Sequence, residues 1–256
     1  MAQALYSEKL RDAGFAHGFF TRQGGVSVPP WDSLNFSFTT GDSQAAVREN
    51  LRRAAEVLGV GPERIYFLTQ VHGTTSRVIG PEDNGSAVRA EQGDITLSSS
   101  PAVACAVRMA DCAPVLLADQ RSGAVAAVHA GWRGVAAGGV TAAVAALRAL
   151  AADELDLIAA VGPHIERCCF EVGQDVAAEL ARASGLGEQA VDRSRPKPHV
   201  DLRQIIAAQL RAAAGALTVV DHVHGCTVCE SARFHSYRRN GKRGGRMLAA
   251  IVPRAV

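Results

Sequence analysis

Short apolar runs separated by turn-forming residues fill most of the first half of the chain. AHGFFTR and LNFSFT, flanked by Gly, Pro and Ser, predict strands. An amphipathic helix follows: Gly41, Asp42 and Ser43 supply capping groups, Val47, Leu51, Ala54, Ala55 and Leu58 recur at helical spacing, and Gly59 and Pro62 stop it. IYFLTQV, TSRVI, DITL, VACAVRM, PVLLAD and AVAAVHA read as further strands, with the turn clusters GPEDNGS, SSSP and DQRSG among them. Helical patterns then run from about Gly134 to Leu150, from Val172 to Ala183 and from Leu202 to Ala214, with LIAAVG and ALTVVDHV as strands between them.

Helices arriving singly among runs of strands favour an α/β domain (α+β-like) of mixed sheets in layers over a regular βαβ wheel. No period of about 20 to 50 residues repeats. DRSRPKPHVD reads as an exposed loop rather than a domain boundary, so residues 1–256 are expected to form one domain. A chain of 256 residues can bury roughly 70% of its unfolded surface, enough for a core that needs no staples.

Charge and cysteine content narrow the function classes. With 20% charged residues and a net charge of +2, the chain lacks the concentrated basicity of nucleic-acid binders. The run Arg238, Arg239, Lys242, Arg243 and Arg246 reads as a solvated tail. No apolar run approaches the roughly 18 residues of a membrane span, and MAQALYSEKLRDAG has no apolar core of signal-peptide length. A cytoplasmic monomer without membrane or nucleic-acid partners is the expectation. Six cysteines in so long a chain, Cys168 and Cys169 adjacent, do not resemble a disulfide framework, so reduced thiols or metal ligands are expected.

His72, Cys112 and His129 stand at the ends of strand-like runs, in QVHG, MADC and AAVHAGWRG. If those ends converge, two imidazoles and one thiolate could hold a metal and leave a position open, as catalytic zinc sites do. The ion's charge would permit chemistry at neutral pH. Asp111 could orient a ligand histidine, act as a general base, or only shape a turn. In HAGWRG, Gly131, Arg133 and Gly134 lead into a helix, where an arginine beside unpaired N–H groups could grip phosphate. Close helix packing explains the same glycines.

Weaker constellations deserve a place beside these. His222 and His224 fall on one strand face but read as a solvated pair. His164, Glu166, Cys226 and Cys229 imitate parts of the zinc deaminase signature, with Gly225 where that signature has proline. Cys226 and Cys229, like Cys168 and Cys169, read as packing thiols near a strand end.

TRQGGVS, SLNFSF, QVHG, ADCAPVLLAD, AAVHAGWRG, VGPHIERCCFEVG and SYRRNGKRGGR together resemble the laccase-domain proteins, also described as zinc-dependent purine nucleoside phosphorylases and earlier as multicopper polyphenol oxidases. The resemblance runs from Thr21 to Arg246. It implies a single mixed-sheet domain with His72, Cys112 and His129 as ligands to zinc, or to copper. It also implies phosphorolysis of adenosine, inosine, guanosine or methylthioadenosine to free base and a ribose 1-phosphate, with adenosine deaminase side activity. Asp111, Cys112 and Arg133 are the catalytic candidates, and by the same resemblance Arg22, Asn35, Arg133 and Arg239 are candidates for holding nucleoside and phosphate. Gly244 and Gly245 stand where the family pattern has a threonine followed by glycine. Two other activities stand beside it: a Cys/His hydrolase or amidase, which the thiolate and imidazole pair allows and for which the family resemblance implies peptidoglycan precursors, and a copper-dependent polyphenol oxidase, which the older family description implies. The latter suits a chain whose only methionines are Met1, Met109 and Met247 less well.

Overall fold

The computed structural model describes residues 1–151, 154–215 and 218–255. Among these residues thirteen strands occur in chain order: β1 (Ala4–Leu5), β2 (His17–Phe20), β3 (Ile65–Tyr66), β4 (Ser76–Val78), β5 (Ile95–Ser98), β6 (Ala104–Met109), β7 (Ala113–Asp119), β8 (Val125–Ala130), β9 (Leu157–Val161), β10 (Val191–Asp192), β11 (His199–Val200), β12 (Val219–His222) and β13 (Met247–Ile251). Eight helices are interspersed: α1 (Glu8–Asp12), α2 (Gln44–Leu58), α3 (Gly85–Ala90), α4 (Trp132–Ala136), α5 (Gly139–Ala151), α6 (Gln174–Ala183), α7 (Leu202–Ala214) and α8 (Tyr237–Asn240). One mixed sheet has the order β1-β2-β13-β6-β3, a second β12-β9-β7-β8-β5-β4, and β10 and β11 form a separate ribbon.

Side-chain alternation sorts the strands into four layers. In β6, Cys105, Val107 and Met109 face one way, and so do Met247, Ala249 and Ile251 of β13; they pack against Leu116, Ala118, Val125, Ala127, Ile158 and Ala160 of the second sheet. The opposite face of the first sheet, with Ala104, Ala106, Leu248 and Ala250, is covered by Leu51, Ala54, Ala55 and Leu58 of α2. The far face of the second sheet meets Val140, Val144 and Leu147 of α5 and Ile205, Ile206 and Leu210 of α7. Strands buried on both faces carry continuous apolar runs, which is why VACAVRM and AVAAVHA show no polar alternation. Truncating Leu116, fully buried between the sheets, should cost about 2–5 kcal/mol.

The structure departs from the sequence pattern at several places. LNFSFT is not a strand: the Asn35 carboxamide accepts from the Ser37 N–H at 3.1 Å, a local turn that competes with ladder bonds. In IYFLTQV only Ile65 and Tyr66 form a strand, with Thr69 making an isolated bridge to Gln92; beyond them the amides of Val71, His72 and Gly73 are taken by Asp94. The helix expected from Gly134 is split into α4 and α5 at Gly138, whose φ of 82° lies in the left-handed region. DRSRPKPHVD is framed by the β10–β11 ribbon. In ALTVVDHV, Ala216 and Leu217 lie outside the described residues, and β12 occupies Val219–His222. MLAAI, without a strand prediction above, is β13, between β2 and β6.

Candidate metal centre

At one end of the two facing sheets, three chain segments meet. His72 lies in the loop beyond β3, Cys112 in the tight turn joining β6 to β7, and His129 near the end of β8, opposite Pro114. The Cys112 Sγ is 3.7 Å from His72 Nε2, and the ligand atoms of His72, Cys112 and His129 all lie within 4.8 Å of one another. Zinc bonds of about 2.3 Å to sulfur and about 2.0–2.1 Å to nitrogen, arranged tetrahedrally, separate such atoms by about 3.5 Å. The donor set and its spacing therefore fit a zinc-class ion, with the fourth direction open to a cavity.

Backbone conformation sets the side chains in place. His72 and Asp111 are the non-glycine residues with positive φ, 63° and 92°, a conformation that persists only when its surroundings over-determine it. For His72, the determinant is Asp94. Its buried carboxylate accepts from the backbone N–H groups of Val71, His72 and Gly73 at 3.2, 3.0 and 2.7 Å. It also lies 2.7 Å from His129 Nδ1; a carboxylate only accepts, so Nδ1 carries the proton and Nε2 is left for a ligand bond. For Asp111, the determinants are Thr227 Oγ1 and the Arg238 N–H, each donating to its carboxylate at 2.6 Å. Asp111 is thus engaged away from the histidines, and the carboxylate beside His129 is Asp94.

Space at the centre depends on Gly131. A Cβ there would fall 2.7 Å from His72 Cδ2 and 3.1 Å from Cys112 Sγ. Electrostatically the cluster favours charge separation. Burial opposes ionisation of Cys112, but His129 and His72 outweigh it and hold the thiol down at about 6. Burial likewise opposes charge on His129, and the Cys112 sulfur and Asp94 outweigh it, lifting the imidazole to about 9. Without a cation the pair rests as thiolate and imidazolium.

The centre forms the floor of a cavity of about 590 Å³, within the range of small-molecule sites. Arg108, Arg133, Arg238 and Arg246 line it, with Trp132, Tyr237 and Phe170 as aromatic walls. None of these four arginines forms an ion pair with a carboxylate among the described residues. Burial presses Arg108 down to about 10, a cost that an anion in the cavity would offset. Arg133 stacks over Trp132 at 4.4 Å. Since α4 is only five residues long, the anion grip expected at a helix start falls to these side chains.

The remaining sequence candidates lie behind the cavity wall. Arg22 pairs with Asp32 at 3.1 Å and donates to Ser231 O. Asn35 is fully buried, bonded to Asp42, and accepts from the Arg246 N–H at 2.9 Å. Arg239 donates to the carbonyls of Thr227, Val228 and Phe234. Asp94 and Arg108 had no sequence signal beyond a polar residue at a strand edge, and Arg238 and Arg246, read above as a solvated tail, face the cavity.

Fold and site together define a layered α/β protein with an open His/Cys/His centre under an arginine-lined pocket. The chain belongs to the family described as multi-copper polyphenol oxidoreductase laccase, whose model matches residues 16–254. It is 39% identical over 229 residues to a purine nucleoside phosphorylase of Pseudomonas aeruginosa, covering 88% of each chain. It is 40% identical over 235 residues to one of Streptomyces griseus, covering 90% of this chain and 92% of the relative. Among solved structures it superimposes on YlmD from Geobacillus stearothermophilus with a TM-score of 0.85 at 33% identity, covering 95% of this chain and 93% of that one. No helix among the described residues is long and apolar enough to cross a membrane.

Proposed function

We propose that the protein is a zinc-dependent purine nucleoside phosphorylase acting on adenosine, inosine, guanosine and methylthioadenosine, with adenosine deaminase side activity, as a cytoplasmic monomer. The observation that carries this reading is the placement of an open three-ligand centre beneath four arginines that form no ion pair with a carboxylate among the described residues. The names of the relatives support its coarser part, a purine nucleoside phosphorylase. His72, Cys112 and His129 would hold the ion, which when bound supplies Lewis-acid charge at the cavity floor.

The chain's own residues account for the rest. Asp94 fixes the His129 ring and Gly131 keeps the floor clear. Arg133, Arg108 and Arg246 hold phosphate by charge-assisted hydrogen bonds and place one of its oxygens against the anomeric carbon. Trp132 and Tyr237 offer flat faces to the purine. A bond forms between an oxygen of hydrogen phosphate and the anomeric carbon as the glycosidic carbon–nitrogen bond breaks, and the proton that the phosphate gives up leaves on the purine nitrogen. Asp111, held by Thr227 and Arg238, keeps Cys112 in register, while Asn35 braces the start of β13 at Arg246 and Arg239 ties down α8, which carries Arg238.

Inosine assayed with and without phosphate tests this. The wild type should release hypoxanthine and ribose 1-phosphate only with phosphate, and His129→Ala should not. Unchanged phosphate-dependent release by His129→Ala removes the centre from the reaction. A second reading rests on the Cys112, His129 and Asp94 chain, which matches the nucleophile, base and orienting acid of cysteine hydrolases. Alkylation separates the two: a Cys112 thiol that zinc does not protect would favour the hydrolase.

A further inference from the structure

Beyond this centre, four of the remaining cysteines converge. Cys168 and Cys169 lie in a turn closed by N–H groups of Cys169 and Phe170 donating to Glu166 O, each at 2.9 Å. Cys226 and Cys229 lie in a second turn, whose Glu230 N–H donates to Cys226 O at 3.0 Å. The turns are docked in parallel: His164 N–H donates to Gly225 O at 3.1 Å and Thr227 N–H to His164 O at 3.0 Å. Packing thiols scattered near a strand end would not do this. The Cys168 sulfur lies 3.6 Å from that of Cys226 and 3.7 Å from that of Cys229, and the Cys169 sulfur 3.3 Å from that of Cys229.

All four sulfurs fall within 4.8 Å of one another. Zinc–sulfur bonds of about 2.3 Å in a tetrahedron place sulfurs about 3.8 Å apart. The geometry points to a second metal site, a closed four-thiolate centre for a soft divalent cation of the zinc class, formed by Cys168, Cys169, Cys226 and Cys229. Binding converts four thiols to thiolates and releases their protons to solvent, with no change of oxidation state. Cys168 and Cys229 are exposed, which gives an ion a way in. A four-sulfur shell leaves no position for substrate, so the site is structural.

What it would tie together is the cavity wall. Ile165 and Phe170, on either side of the first turn, line the cavity. Thr227, inside the second turn, donates to Asp111 next to Cys112. The backbone carbonyl of Cys169 accepts from Arg238, another cavity residue, at 3.3 Å. A cation linking the turns would hold one side of the pocket against the open centre.

The zinc-class deaminase pattern noted in the sequence is resolved differently. Cys226 and Cys229 join the other two cysteines, while Glu166 is bound to Arg203 at 2.6 Å and the buried His164 turns Nδ1 to Gly162 O at 2.8 Å.

Protein purified with reductant and zinc, without chelator, should carry about two zinc ions per chain by elemental analysis. His129→Ala should retain one, and the double variant Cys168→Ser with Cys229→Ser should retain the other. The wild-type chain gives a second readout that needs no variant to fold. Iodoacetamide should label Cys168 and Cys229 at least about tenfold faster after chelation than before it. A single zinc ion lost entirely in His129→Ala, equal labelling with and without chelator, or disulfides among the four cysteines in the zinc-supplied reduced protein would each overturn the site.

Discussion

The two sulfur-bearing clusters differ in ligand number, in how the chain assembles them and in what lies beyond them. His72, Cys112 and His129 come from a loop, a turn and a strand end and face a cavity. The four cysteines come from two turns that face each other. Three ligands with an open direction suit chemistry, whereas four close the shell. Cys105 is a third case: fully buried between the sheets in β6, its thiol is pushed far up by burial, and it belongs to neither cluster. On the two assignments proposed above, sulfur would serve as a ligand at an open centre, as a ligand at a closed one and as a packing atom, according to its neighbours.

The largest effect expected from breaking this contrast is at the open centre. Cys112→Ser should lower phosphate-dependent cleavage of inosine by at least about a thousandfold, in line with the loss of several kcal/mol of charge stabilisation. It should leave the zinc of the four-cysteine cluster in place. Full activity in Cys112→Ser would end the distinction between the two clusters. Gly131→Ala should approach the same loss, since its Cβ meets His72 and Cys112 at 2.7 and 3.1 Å; retained metal content at the open centre in that variant would show that the floor can yield.

One step smaller is Asp94→Asn, which removes the charge beside His129 and one acceptor oxygen from the loop carrying His72. Metal affinity and activity at the open centre should fall about 10- to 100-fold. Competition with a chromophoric chelator reads the affinity directly, and a value equal to the wild type would mean that Asp94 only holds the loop. Arg246→Gln should raise the KM for phosphate about tenfold, with that for inosine little changed, as removal of one charge-assisted contact predicts. A rise confined to inosine would relocate the phosphate.

The open centre was legible in the sequence and its support was not. Strands buried on both faces announce themselves as apolar runs, and a His or Cys at the end of such a run stands out against it. Asp94 sits in a comparable place, at the start of DITL, yet its importance comes from accepting three amides of a loop far along the chain, which no local pattern records. The four-cysteine cluster was hidden for a related reason: the turn carrying Cys168 and Cys169 and the turn carrying Cys226 and Cys229 are brought together by a single bridge between His164 and Cys226. Strand β13 escaped because MLAAI follows a basic run that reads as tail. Its neighbours β2 and β6 are far from it in sequence, and only the assembled sheet shows it to be central.

The smallest effect concerns stability and sharpens the comparison from the side of the histidines. His129 is lifted by its anionic neighbours, whereas His235 is pressed down to about 3, first by burial and then by the cations Arg22, Arg246 and Arg239. Its ring is almost fully buried, and its Nε2 has no partner. In the unfolded chain a histidine titrates near about 6.5, so the unfolded state binds the proton that the folded state refuses. The stability His235 supplies is therefore complete above about 6.5 and is lost progressively as pH falls toward its folded value. Between about pH 7.5 and about pH 5.5 the loss should be about 1.4 kcal/mol from this residue. Urea unfolding of wild type and His235→Gln at both pH values checks it: the variant's stability should change less with pH by that amount. An identical pH dependence in the two proteins would mean that His235 gains a proton without cost, and that the three arginines lie farther from it in solution.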